Sequence, residues 1–245
     1  MKARTLIGGC ALDFLAGDPK WLPHPVRVMG AAIGAGEKSV RKLAYSPQSE
    51  FFGGAALSLA VIFGSYQSAK ILLRTARKFD SVFGEAPEIY LAWTTIAARN
   101  LLDETGVVLD RLDAGDIENA RRRLAMVVGR DTENLDESEI ARATIETAAE
   151  SLCDGIAAPL FYLAIGGVPL AFAYKAANTL DSMIGHREPP YTYFGRVAAR
   201  IDDAANFVPA RLTALLIVAA AQILKADAKS AWQIWRRDAR LHSSP

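Results

Sequence analysis

Four positions spaced by four residues, Arg142, Glu146, Glu150 and Asp154, place one guanidinium and three carboxylates on a single helix face. One arginine does not neutralise three acids. Such a stripe is a solvated face, or it shares protons, or it takes up a cation, and hard oxygen ligands suit Mg2+. A second crowd follows: Arg196, Arg200 and Asp203 form one stripe, and Asp202 and Asn206 the next. Asp202, Asp203 and Asn206 are candidate Mg2+ ligands there, with Arg196 and Arg200 facing phosphate oxygens and Arg211 one turn after a break at Pro209. Pairing of Arg with Asp along the helix would explain part of that pattern, but it leaves Asp202 and Asn206 without a reason. Lys175, Asn178 and Ser182 fall within about 60° of one another on a helix, with Asp181 at the edge of the face. An amine, an amide, a hydroxyl and a carboxylate on one otherwise apolar helix make a candidate substrate-binding face.

Two loops add to the set. Asp13, then Gly17-Asp18-Pro19, then Pro23-His24-Pro25 read as a rigid loop, since the prolines fix φ and forbid a continuing helix. Asp18 and His24 are ligand candidates there, or a turn cap and a solvated imidazole. In Val128–Thr132, Arg130 offers a fork for phosphate or carboxylate, and Asp131 with Thr132 either caps the next helix or holds a metal-bound water.

The elements that carry these groups read as helices. Phe51 to Ala69 is 19 residues without a charge and Gly155 to Tyr174 is 20, and about 20 helical residues cross a hydrocarbon core of roughly 30 Å. Both runs are of spanning length. Leu212 to Leu224 is a 13-residue uncharged run that needs Ala204 to Arg211 to reach across, and Thr5 to Leu15 is shorter still. Between the runs, residues 99–154 hold seven Arg and 14 Asp plus Glu, with apolar residues at helical spacing. That is a water-facing helical segment, with breaks at Asp113–Asp116 and Asn134–Glu139. Only Ile89 to Thr95 is ambiguous between helix and strand. The fold class is therefore all-α, a multi-pass membrane helical bundle in one domain over 1–245.

Several functions are excluded. A net charge of +1 gives no field for nucleic acid. Cys10 and Cys153 form no CxxC pair, and no GxxxxGK[ST] loop occurs. The start, with Lys2 and Arg4 before a short run broken by Asp13, reads as retained. Lys70, Arg74, Arg77 and Lys78 follow one run, and Arg236, Arg237 and Arg240 follow the last, which places both ends in the cytoplasm.

In order, GDPxxxPHP (17–25), VGRDT (128–132), DGxxAPLFY (154–162), YKAxNTLDSM (174–183), AARxDDxxNxxPARL (198–212) and a final HSSP resemble the signature blocks of the CobD/CbiB cobalamin biosynthesis family. Ser151 departs from the Asn common in that block, and relatives continue past Pro245, so a truncated C-terminus is expected. The resemblance implies a multi-pass inner-membrane enzyme that joins aminopropanol or its phosphate to adenosylcobyric acid, a corrinoid, using ATP and Mg2+, beside other cobalamin-assembly membrane enzymes. On that basis Glu146, Glu150, Lys175 and Asp181 are the expected catalytic residues. Substrate contacts are expected from Asp18, His24, Arg130, Asp131, Asn178, Ser182, Arg196, Arg200 and Arg211, and metal contacts from Asp202, Asp203 and Asn206. The alternative is a non-catalytic membrane sensor or assembly protein on the same scaffold. A cytidine-linked phosphotransferase would need DxxDGxxAR, which fails at Ser151 and Pro159, and a prenyltransferase would need DDxxD, where Asn206 stands last.

Overall fold

The computed structural model describes residues 2–19, 21–79, 85–129 and 131–239. Arg130, Arg240 and the HSSP end lie outside the described residues. Within them the chain is helical and contains no strand: α1 (Ala3–Ala16), α2 (Pro25–Arg41), α3 (Pro47–Phe79), α4 (Glu85–Trp93), α5 (Ala98–Asp113), α6 (Ile117–Leu124), α7 (Glu137–Leu152), a π-helical turn (Cys153–Ala157), α8 (Ala158–Ile184), α9 (Arg196–Ile223) and α10 (Ala228–Asp238). The ambiguous segment at 89–95 is the end of α4 and the turn after it.

Helix α8 is central, packed against α2, α3 and α9, and it is two arms joined at the non-helical Gly167 (φ 68°), with Tyr162 of one stacked on Tyr174 of the other. One core joins Met29, Ala69, Leu73, Leu163, Val168 and Phe172. A second, toward the α8–α9 connection, joins Ile33, Leu57, Leu180, Ile184 and Phe194. Gly54 makes the latter possible, because a Cβ there would lie 1.9 Å from the Phe194 carbonyl oxygen. The charged segment builds a smaller core of its own from Val108, Leu112, Leu124 and Ile140 on α5, α6 and α7. Its breaks fall where turn chemistry puts them: Asp116 caps α6 by accepting from the Asn119 amide, and Asp136 forms a capping box with Glu139 at the start of α7. Asp131 does not cap that helix; its carboxylate accepts from the Glu133 amide in a local turn.

Three helical stretches, residues 47–78, 137–184 and 196–223, are long and apolar enough to cross a membrane by length and composition, and the second of them turns back on itself at Gly167. Only 28%, 39% and 22% of their apolar windows is buried within the chain. Large side chains such as Phe63, Ile71, Leu216 and Ile223 face outward, an apolar surface of the kind that meets a membrane or another protein. Helix α1, at 14 residues, is short of spanning length.

The expected break at Pro209 is absent, and α9 runs through it. A proline inside a helix leaves the carbonyl four residues earlier without its donor. Here that carbonyl is Ala205, and the Tyr162 hydroxyl of α8 donates to it at 2.8 Å. A side chain on a neighbouring helix thus replaces the missing N–H and lets the third apolar run reach full length. Tyr162→Phe should leave a partly buried acceptor unpaired and cost about 1–3 kcal/mol, read as a lower unfolding midpoint in detergent. An unchanged midpoint would show that water or lipid serves the carbonyl instead.

Asp13 is likewise not on the loop but inside α1, buried, with its Oδ2 accepting from the amides of Ala98 and Arg99 at 3.0 and 3.2 Å. It caps α5 from another helix. Burial pushes its carboxyl above the usual range, and the two amides oppose that shift.

Candidate active site

The polar stripes of α7 and α8 meet because the chain turns back inside α8 at Gly167 (φ 68°), which brings Tyr174 onto Tyr162 and Asn178 to Asp154. The backbone before that turn is not a plain α-helix either. Residues 153–157 form a π-helical turn, which inserts one extra residue and resets the face of everything after it. Asp154 sits in that turn. Its Oδ2 accepts from the Asn178 amide at 2.9 Å, and its backbone carbonyl lies 3.5 Å from both the Lys175 Nζ and the Tyr174 hydroxyl.

Around this knot lie two adjoining cavities. The first, about 730 Å3, is bounded by α5, α7 and α8, with Asn100, Glu146, Glu150, Asp154, Lys175, Asn178 and Ser182 on its walls. The second, about 600 Å3, lies toward α9 and α10 and is lined by Glu146, Glu150, Asp154, Asp181, Asp202, Asp203 and Asn206. Glu146, Glu150 and Asp154 belong to both and form the partition. Among the described residues Lys175, on the wall of the first, is the only basic residue lining either, against seven carboxylates: Glu104, Glu146, Glu150, Asp154, Asp181, Asp202 and Asp203.

On the α9 wall the groups form a chain. The Tyr174 hydroxyl donates to Asn206 Oδ1 at 2.9 Å, and Asn206 Nδ2 donates to Asp202 Oδ2 at 3.0 Å. Asp202 is 8% exposed, and its Oδ1 has no partner among the described residues. A buried carboxylate oxygen left unpaired is costly, so this atom is the best-defined place for a cation or a donor from substrate. Asp203 points along the helix to Arg200, 3.8 Å away. No three His, Cys, Asp or Glu side chains among the described residues converge as a ready metal cage.

The remaining sequence candidates fall elsewhere. Arg196 and Arg200 line a separate groove beside Phe51, and Arg211 folds back on α9, donating to the Phe207 carbonyl at 2.6 Å with its guanidinium 3.6 Å from that ring's centroid. His24 lines an apolar groove between α2 and α3 and lies 3.2 Å from Asp18, whose amide donates to Asn100. Asp131 is exposed outside both cavities, although Val128 and Gly129 beside it line the first. The Ser182 hydroxyl donates to the Asn178 carbonyl of its own helix. Sequence reasoning missed Tyr174 and Tyr162, whose rings stack with centroids 4.9 Å apart; their only signal was two tyrosines bracketing an apolar run.

Three membrane-length helices holding an acidic, lysine-containing cavity where α8 ends and α9 begins define an all-helical protein with a polar site inside an apolar scaffold. The chain belongs to the CobD/CbiB protein family, whose model matches residues 6–245. It is 46% identical to the cobalamin biosynthesis protein CobD of Geobacter metallireducens over 96% of this chain and 73% of that one. Identity to the CobD of Citrobacter koseri is 44%, over 98% and 76% of the two chains. The cobalamin biosynthesis protein CbiB of Salmonella typhimurium is 40% identical over the same shares. No solved structure matches the chain.

Proposed function

We propose that this chain is a membrane-embedded ligase of cobalamin biosynthesis that joins aminopropanol, or its phosphate, to the free carboxylate of adenosylcobyric acid at the expense of ATP. The family supports the pathway, and the observation that carries the chemistry is the pair of adjoining cavities lined by Lys175 and seven carboxylates. A carboxylate is a poor electrophile, so amide formation at neutral pH needs activation as an acyl phosphate. The site must then hold phosphate charge, accept a proton from the incoming ammonium and exclude water.

These residues divide those tasks. Glu146 and Glu150, on the partition, are placed to bind the ammonium and take its proton. Lys175 stabilises negative charge on the activated carboxylate or phosphate. Asp181 lies across the second cavity from Asp202 as a further base or ligand. The residues fit Mg2+: Asp202 has one oxygen already held by Asn206 and one unpaired, and an ion that keeps most of its waters needs only one or two carboxylates. Asp202 and Asn206, with Asp203 at the edge, would hold it; bound there it would neutralise the phosphates of ATP.

The test is complementation. Expression in a strain lacking this amidation step should restore cobalamin, and membranes given adenosylcobyric acid, ATP and the amine should yield the amide by mass spectrometry. Normal insertion with neither outcome would reject the ligase reading. The chain should also resist extraction by salt and carbonate, because so little of its apolar surface is buried within itself; a well-behaved monomer in detergent-free buffer would reject the membrane reading.

A further inference from the structure

Arg196 and Arg200 carry an inference that does not depend on the ligase chemistry. They do not line the acidic cavities but face a groove of about 670 Å3 with Phe51, Val197, Ile201 and Ala204. Both walls change character at the same level. On α3 the uncharged run begins at Phe51, directly after Glu50, and on α9 the apolar stretch opens at Ala204, directly after Asp203. The two arginines sit one and two turns outside that boundary, and the groove crosses it. Below it, Phe52, Phe207 and Val208 present exposed apolar surface.

Neither nearby acid is free to answer the arginines fully. Glu50 lies 3.6 Å from Arg41, and Asp203 meets Arg200 at 3.8 Å, while Arg196 has no ion-pair partner among the described residues. Guanidinium forks at headgroup depth above an apolar trough match a phosphodiester carrying acyl chains. We propose that this groove binds the headgroup phosphate of an anionic phospholipid, with an acyl chain along Phe51, Ile201 and Ala204. A zwitterionic lipid would bring an ammonium to the same two cations and lose part of the attraction.

The proposal rests on α3 and α9 being membrane spans. The full chain would be incorporated into nanodiscs of phosphatidylcholine mixed with phosphatidylglycerol, and the lipids retained after gentle extraction identified by native mass spectrometry. The wild type should retain phosphatidylglycerol in excess of its share. Arg196→Gln with Arg200→Gln should reduce that excess by about fivefold or more, whereas Arg74→Gln, at the far end of α3, should leave it intact. Arg196→Glu alone, on an exposed side chain, gives the same reading if the double variant folds poorly. Equal enrichment in these variants would overturn the site. Displacement of the retained lipid by glycerol phosphate or inorganic phosphate would also overturn it, assigning the arginines to a soluble phosphate. Failure to enter nanodiscs at all would overturn the membrane reading and the lipid site together, leaving the amidation assay to judge the chemistry.

Discussion

Lys175→Met should lower amide formation by about 100-fold or more while leaving the unfolding midpoint close to that of the parent. The loss is large because Lys175 is, among the described residues, the one basic group lining either cavity, and preorganised stabilisation of developing negative charge is worth roughly two to three powers of ten in rate. The fold should survive because Lys175 makes only a long contact, 3.5 Å, to the Asp154 carbonyl among the described residues. Removing the cation leaves seven acids to repel an anionic substrate, so the apparent KM for ATP should rise as well. Lys175→Arg should recover charge without position, and only part of the rate. Normal kinetics in a protein that expresses poorly and melts early would instead make the lysine a packing device between helices.

Asp202→Asn should be nearly as damaging, again by about 100-fold, and for a reason separable by titration. The amide keeps the size of the side chain and its contact with Asn206 but removes the charge that a divalent ion would use. More Mg2+ should then be needed to reach half-maximal rate. Asp113→Asn, exposed at the end of α5, is the control and should behave as wild type. If Asp202→Asn and Asp113→Asn are equally active, Asp202 does not serve the ion or the reaction.

Much of this architecture could be read from residue order alone. Uncharged runs of 19 and 20 residues announce α3 and α8 because length and hydropathy are local properties. Asp116 and Asp136 mark the helix starts in the charged segment because a cap acts within three residues. That Glu146 and Glu150 share one face, and Lys175 and Asn178 another, followed from helical spacing; that the two faces meet did not, because it needs the chain to turn back at Gly167. What escaped depends on partners distant in sequence. Continuity of α9 through Pro209 needs a hydroxyl from Tyr162, and the burial of Asp13 needs two amides from α5. Spacing showed that Arg196 and Arg200 share a face but not what that face meets, which is Phe51 on α3. The same gap hid the link from Tyr174 through Asn206 to Asp202.

The two halves of the site face each other through two backbone features, the turn-back at Gly167 and the surplus residue of the π-helical turn at Cys153–Ala157. Deleting one residue there would let the backbone relax into continuous α-helix and turn α8 by about 100° relative to α7. Every side chain would be retained, yet Lys175 and Asn178 would swing away from Glu146 and Glu150. Length at this point is therefore as much a part of the site as chemistry: any substitution is a change of one group, but a one-residue gap is a change of register for all of them.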